Sequence, residues 1–219
     1  MADLEHYNST RDEFDSSLNG GAMTDELIES EVAHSFMLPV RPMTAEAGGE
    51  RWFKFYIKAT VDTITLGVNI AKTSSSPTEE VYICLATDDD EVEDDVDKEN
   101  IRLFGGFIAE SYDKDDKKVI ANIDVSTFVK ADDKVTFFDS ENLKVTSWIV
   151  DSVDAKEIIF KDVNDDDVTG LYASSTIEID ELSTDEHIGF WIKQEIASLT
   201  EPMEDPLNRY ILGTWYDLK

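Results

Sequence analysis

The chain has 219 residues, 41% of them hydrophobic, enough for one large β-domain or two small ones with a buried core. Its 49 acids against 19 bases leave a net charge of -30, a field that repels nucleic-acid phosphates and anionic membrane surfaces. No apolar stretch reaches the roughly 18 residues of a membrane helix. The opening Met1-Ala2-Asp3-Leu4-Glu5-His6 lacks the basic and apolar regions of a secretory signal, so synthesis in the cytoplasm of the producing cell is expected.

Residues 1–50 are mostly polar and read as an extended N-terminal arm with little core of its own. Asn19-Gly20-Gly21 marks a flexible break, and Thr24-Asp25-Glu26 predicts one short helix running to Val32. Phe36-Met37-Leu38-Pro39-Val40-Arg41-Pro42 follows, with two prolines that enforce extended backbone.

From Arg51 the hydrophobic period becomes two, the signal of half-buried strands. Phe53, Phe55 and Ile57 alternate with Lys54, Tyr56 and Lys58, and the pattern repeats over Ile64–Ile70 and Val81–Leu85. Turns carry Asp62 and Ser74-Ser75-Ser76-Pro77. The run from Asp88 to Glu99 holds nine acids in twelve positions and predicts a solvated loop. Gly105-Gly106, inside the apolar run 101–108, predicts a bulge or tight bend, and Asp113–Lys118 a turn.

Residues 125–172 read as a small β insert, a meander or barrel with strands near 135–138, 144–153 and 158–160. The earlier style returns with Ile177 and Ile179, then Ile188, Phe190 and Ile192, with Trp191 on the opposite face. The tail from Tyr210 is extended. The fold class expected is all-β: an Ig-like or jelly-roll-type β-sandwich over 51–124 and 173–219, interrupted by the insert 125–172 and preceded by the arm 1–50.

Catalytic patterns fail at named positions. His6, His34 and His187 are far apart in sequence, with no HExxH pair. Nucleophile elbow, P-loop and dinucleotide fingerprint are all missing, and the doublets Gly20-Gly21, Gly48-Gly49 and Gly105-Gly106 read as turns or bulges. Cys84, the single cysteine, lies in an apolar strand and reads as a buried inert thiol, which leaves no disulfide framework and no cysteine zinc site. An EF-hand starting at Asp88 fails at Val92 and Glu93; one starting at Asp162 fails at Asp167 and Ala173. A less regular surface Ca²⁺ or Mg²⁺ site is the one cation reading left open. Trp52 and Trp191 on strands read as core or interface residues and Trp148 sits in the insert, with an exposed sugar-stacking platform as the rival. The expectation is a non-enzyme with no catalytic, cofactor or metal residues.

Two stretches carry a resemblance. Leu18-Asn19-Gly20-Gly21-Ala22-Met23-Thr24, then Phe36–Val40 and Glu46–Lys58, resemble the start of structural proteins of tailed viruses, in which a Gly-Gly arm leads through a Phe/Pro segment to an aromatic and basic first strand. Gly189-Phe190-Trp191-Ile192-Lys193-Gln194-Glu195-Ile196 is similar to a closing strand of such virion β-domains. The likeness covers about half the chain, and the acidic run from Asp88 has no place in it. It implies a virion component that decorates the capsid or belongs to the tail. The partners it implies are major capsid or tail proteins, with homo-oligomers inside an assembly and no nucleic-acid or membrane partner. The alternative function is a carbohydrate- or receptor-binding β-module for host attachment.

Overall fold

Alternation of apolar and polar side chains commits most of this chain to strands that bury one face. A computed structural model of the protein describes residues 4–10, 19–28, 48–61, 64–72, 79–139, 144–196 and 210–218. Thirteen strands occur among them: β1 Leu4–Asn8, β2 Gly49–Ala59, β3 Ile64–Lys72, β4 Glu79–Leu85, β5 Phe104–Asp113, β6 Lys118–Ala121, β7 Lys134–Phe138, β8 Lys144–Asp154, β9 Glu157–Phe160, β10 Tyr172–Ser175, β11 Ile177–Leu182, β12 His187–Ile196 and β13 Tyr210–Leu218. The all-β, sandwich-like architecture expected from the alternation is present.

The sandwich has a front sheet in the order β1-β2-β12-β4-β5 and a back sheet in the order β11-β3-β13. All of its pairings are antiparallel, and β12 pairs with β2 along its whole length, from His187↔Lys58 to Ile196↔Gly49. Phe55, Ile57, Phe190, Ile192, Val81 and Ile83 from the front meet Ile64, Leu66, Val68, Ile70, Ile177 and Leu182 from the back. Phe55 and Phe190 stack with centroids 5.4 Å apart in this core. Non-polar burial of this kind contributes about 25 cal/mol per Å² and is the main cohesion between the sheets.

β5 belongs to two structures. Phe104 and Gly105 pair with β4; Gly106, Phe107 and Ile108 pair with β10; Ala109 to Asp113 pair with β6. The pairings β5–β10, β10–β7, β7–β8, β8–β9, β9–β6 and β6–β5 close on themselves, so the second half of the molecule is a six-stranded antiparallel barrel. Register shifts at Ala109/Ser111, Phe137/Phe138 and Val150/Ser152 bend the strands enough to close the ring. Trp148 fills the barrel, with Phe137, Phe160 and Tyr112 at ring-centroid distances of 4.9, 5.2 and 5.1 Å. The barrel core also takes Phe107, Ala109, Val119 and Ala121, all from before residue 125.

Gly105 sits where sandwich and barrel meet. A Cβ there would lie 2.9 Å from the Tyr82 ring and 3.1 Å from Phe128, so only glycine lets β5 cross at this separation. The hydroxyls of Ser174 and Ser175 hold the same crossing: Gly105 N–H donates to Ser175 Oγ, and Ser174 Oγ donates to Gly105 O. The bulge or bend expected at Gly105-Gly106 is found instead as a close approach within an unbroken strand: β5 runs through both glycines, and its register shift falls between Ala109 and Ser111.

Two pieces of the first fifty residues, expected as an arm, lie on the front sheet. β1 pairs with β2 from Leu4↔Ala59 to Asn8↔Phe55. The expected helix from Thr24 is not formed over 24–28: Leu27 bridges Tyr7, Ile28 N–H donates to His6 O, and Asn8 N–H donates to Glu26 O. The Thr24 hydroxyl, instead of capping a helix, donates to Asn8 O (2.8 Å), so strand edge prevails over helix-start chemistry. The segment Phe36–Pro42, His34, the turns at Asp62 and Ser74–Pro77, and most of the turn Asp139–Asn142 fall outside the described residues.

Candidate functional site

Even-numbered residues of β2 face away from the sandwich core, yet Trp52, Lys54 and Tyr56 are all buried. The half-buried strand expected there is covered on both faces. The cover is the acidic loop from Ala86 to Leu103 together with Asn19-Gly20-Gly21. Trp52, Trp191, Cys84 and Val96 form a small third core beneath it, with Ala86, Ile101 and Leu103 packed alongside.

Three polar anchors hold the cover. Lys54 Nζ donates to the carbonyls of Asp88, Asp89 and Glu91 at 2.6, 2.8 and 3.2 Å. The Tyr56 hydroxyl lies 2.5 Å from both Asp89 O and Gly21 O, donating to one of them. The Glu91 carboxylate accepts from the Trp191 indole N–H at 2.7 Å and from the Thr87 amide and hydroxyl at 3.2 and 2.9 Å. Charge-assisted bonds of this kind are worth about 1.5–3 kcal/mol each when buried.

The 19–21 segment is locked into the same assembly. Gly21 N–H donates to Glu91 O at 2.7 Å, Glu93 N–H to Asn19 O at 3.0 Å, and Asn19 Nδ2 to Trp52 O at 2.8 Å. Gly20 has φ of +104° and stands against the Trp191 ring, a position in which a side chain is strained and has no space. Lys98 bonds Glu93 at 3.1 Å, and the Trp52 indole donates to Glu50 at 3.1 Å, extending the network to the edge of the patch.

Electrostatics follow burial. Removal from water pushes the Lys54 ammonium below its ordinary pKa, opposed by the nearby carboxylates of Glu91, Asp89, Asp88 and Asp90. The same desolvation pushes the Cys84 thiol and the Tyr56 phenol well up, so both stay protonated near neutral pH. Cys84 is fully buried, as its apolar run implied.

The acids of the 88–99 run divide into two groups. Asp88, Asp89, Asp90, Asp94, Asp95, Asp97 and Glu99 are exposed as a solvated loop requires, whereas Glu91 and Glu93 are 6% exposed. Among the described residues no group of three His, Cys, Asp or Glu side chains is placed to hold a metal ion. His6 lies between the two sheets, with Nε2 3.3 Å from Thr214 Oγ1 on β13. His187 lies at the patch rim, 3.1 Å from the Asp89 carboxylate. These two histidines therefore stand in separate places. Trp52, Trp148 and Trp191 are all buried, so a sugar-stacking platform is not built from these three rings.

Sequence reasoning missed Lys54 as an anchor. Its period-two position assigns it to the outer face, and nothing local announces that a loop thirty-four residues later will fold over it. The one available signal was the pair of apolar residues, Val92 and Val96, inside an otherwise acidic run. No family model, curated protein or solved structure matches the chain.

Proposed function

We propose that the chain is a non-enzymatic structural protein of a tailed-virus particle, decorating the capsid or forming part of the tail through protein–protein contacts. The observation that carries this reading is the edge of the back sheet. β13 runs nine residues and pairs with β3 alone among the described residues. A sheet edge of this length is a template for main-chain pairing with a neighbouring chain. On the front sheet, by contrast, the outer edge of β1 is taken by the chain around Leu27.

A second surface supports the same reading. Val145, Ile149 and Ile159 are each more than a third exposed on the outside of the barrel strands β8 and β9. The acidic exterior keeps a high-copy protein soluble before assembly and turns it away from a packaged genome. The test is fractionation of purified particles from cells that make the chain. The reading expects the protein in the particle at a fixed copy number relative to the major capsid or tail protein. Recovery only in the soluble fraction overturns it.

A further inference from the structure

Lys54 is 1% exposed, and an ammonium taken out of water is costly unless its donors are used. All three N–H bonds are accounted for by the main-chain carbonyls of Asp88, Asp89 and Glu91, all from one loop. The rings of Tyr56 and Trp191 flank the nitrogen, with centroids 5.2 and 5.7 Å away. A short acidic loop that turns several carbonyl oxygens onto one positive centre is the arrangement by which protein loops hold hard metal ions. In this chain the positive centre is tethered to β2, and the carboxylates of Asp88, Asp89 and Asp90 remain exposed to solvent.

We propose that Lys54 is a built-in counter-cation: its ammonium orders the acidic loop in place of a metal ion, and its three carbonyl partners form a latent site for a hard cation when the ammonium is removed. The loop then keeps its shape whatever the supply of divalent ions. The supporting contacts fit this role. Glu91 supplies both a carbonyl to Lys54 and a carboxylate to Trp191, so one residue couples the ammonium to the sheet. Gly21 N–H donates to that same Glu91 carbonyl, which ties the 19–21 segment to the ammonium as well. The consequence for any partner is specific. The exposed carboxylates of Asp88, Asp90, Asp94 and Asp97 are then held in place by the ammonium, sensitive to ionic strength and indifferent to chelators.

Hydrogen exchange on the full chain tests this, read at the amides of Gly21, Glu93 and Val96 against the barrel amides of Ala121 and Val150. Wild-type protection at the three loop amides is expected to be the same in a chelator and in millimolar calcium chloride at matched ionic strength. Lys54→Met is expected to lose protection there by about a hundredfold while the barrel amides hold theirs. Lys54→Ala, which also leaves space, is expected to recover part of that protection with calcium chloride or propylammonium chloride. Loss of wild-type protection on chelation overturns the proposal, as does full protection in Lys54→Met. Failure of both additives to restore Lys54→Ala overturns the latent site. Should neither variant fold, the wild-type side-chain spectrum decides. A slowly exchanging Lys54 ammonium signal supports the proposal, and exchange as fast as that of the exposed lysines refutes it.

Discussion

Gly20→Ala probes whether the chain near residue 20 is part of the folded sandwich. Gly20 has φ of +104°, and a Cβ there would lie 2.7 Å from Glu91 O and 2.9 Å from Trp191 Cζ2, with the neighbouring ring atom closer still. Gly170 is the control: its φ is +80°, and a Cβ there meets nothing within 4 Å. Both substitutions carry the positive-φ penalty of about 1–2 kcal/mol, and both gain the same small stabilisation from a stiffer unfolded chain. Only Gly20→Ala adds overpacking against backbone and a buried indole, worth about 1–3 kcal/mol. With a urea m-value of about 2–3 kcal/mol/M, the midpoint of Gly20→Ala falls about 0.3–1.5 M below that of Gly170→Ala. Urea titration followed by tryptophan emission measures this directly, since Trp52 and Trp191 are fully buried in the patch. Equal midpoints for the two variants refute the docking of residues 19–21 on the front sheet.

Three further outcomes follow from charge and burial. Burial holds His6 below its ordinary 6.5, so the unfolded chain takes up the proton first; the stability its neutral form supports is complete above pH 6.5 and lost as pH falls from there through the folded pKa. The difference in melting temperature between wild type and His6→Gln should therefore be constant above pH 6.5 and begin to shift as pH falls below it, and parallel curves would contradict the buried placement. Cys84 should react with an aromatic disulfide reagent roughly a thousandfold more slowly in the native protein than in urea, and fast native labelling would contradict its burial. At a net charge of -30, melting temperature should rise as salt shortens the screening length from about 10 Å at 0.1 M to about 3 Å at 1 M; a flat response would mean that the surface acids are already paired.

How much could be read in advance differs by element. β2, β3, β4 and β12 were legible because one face carries Val, Ile, Leu or Phe at successive alternate positions, and β8 because its apolar run is long, although its buried face is Thr146, Trp148 and Val150. β1 was not: Leu4-Glu5-His6-Tyr7-Asn8 contrasts little between its faces, and its inward residue His6 is polar. β10, Tyr172-Ala173-Ser174-Ser175, shows no apolar alternation, because small hydroxyl residues are what the crossing at Gly105 needs. Barrel closure depends on pairing β5 with β6 and β10 at once, a non-local choice that no window of sequence contains. The candidate patch was least legible of all. Seven carboxylates of its loop behave as composition predicts; of the two that face inward, Glu91 is chosen by Trp191 on β12, and Glu93 bonds Lys98 within the loop itself.

A reconstruction of purified tailed-virus particles by electron cryomicroscopy tests the central claim most directly. The account predicts a symmetry-related density on head or tail into which the sandwich and the six-stranded barrel fit together, with the β13 edge or the β8–β9 face against a neighbour. A particle whose ordered density is fully built from other chains, with no place for this fold, would contradict it.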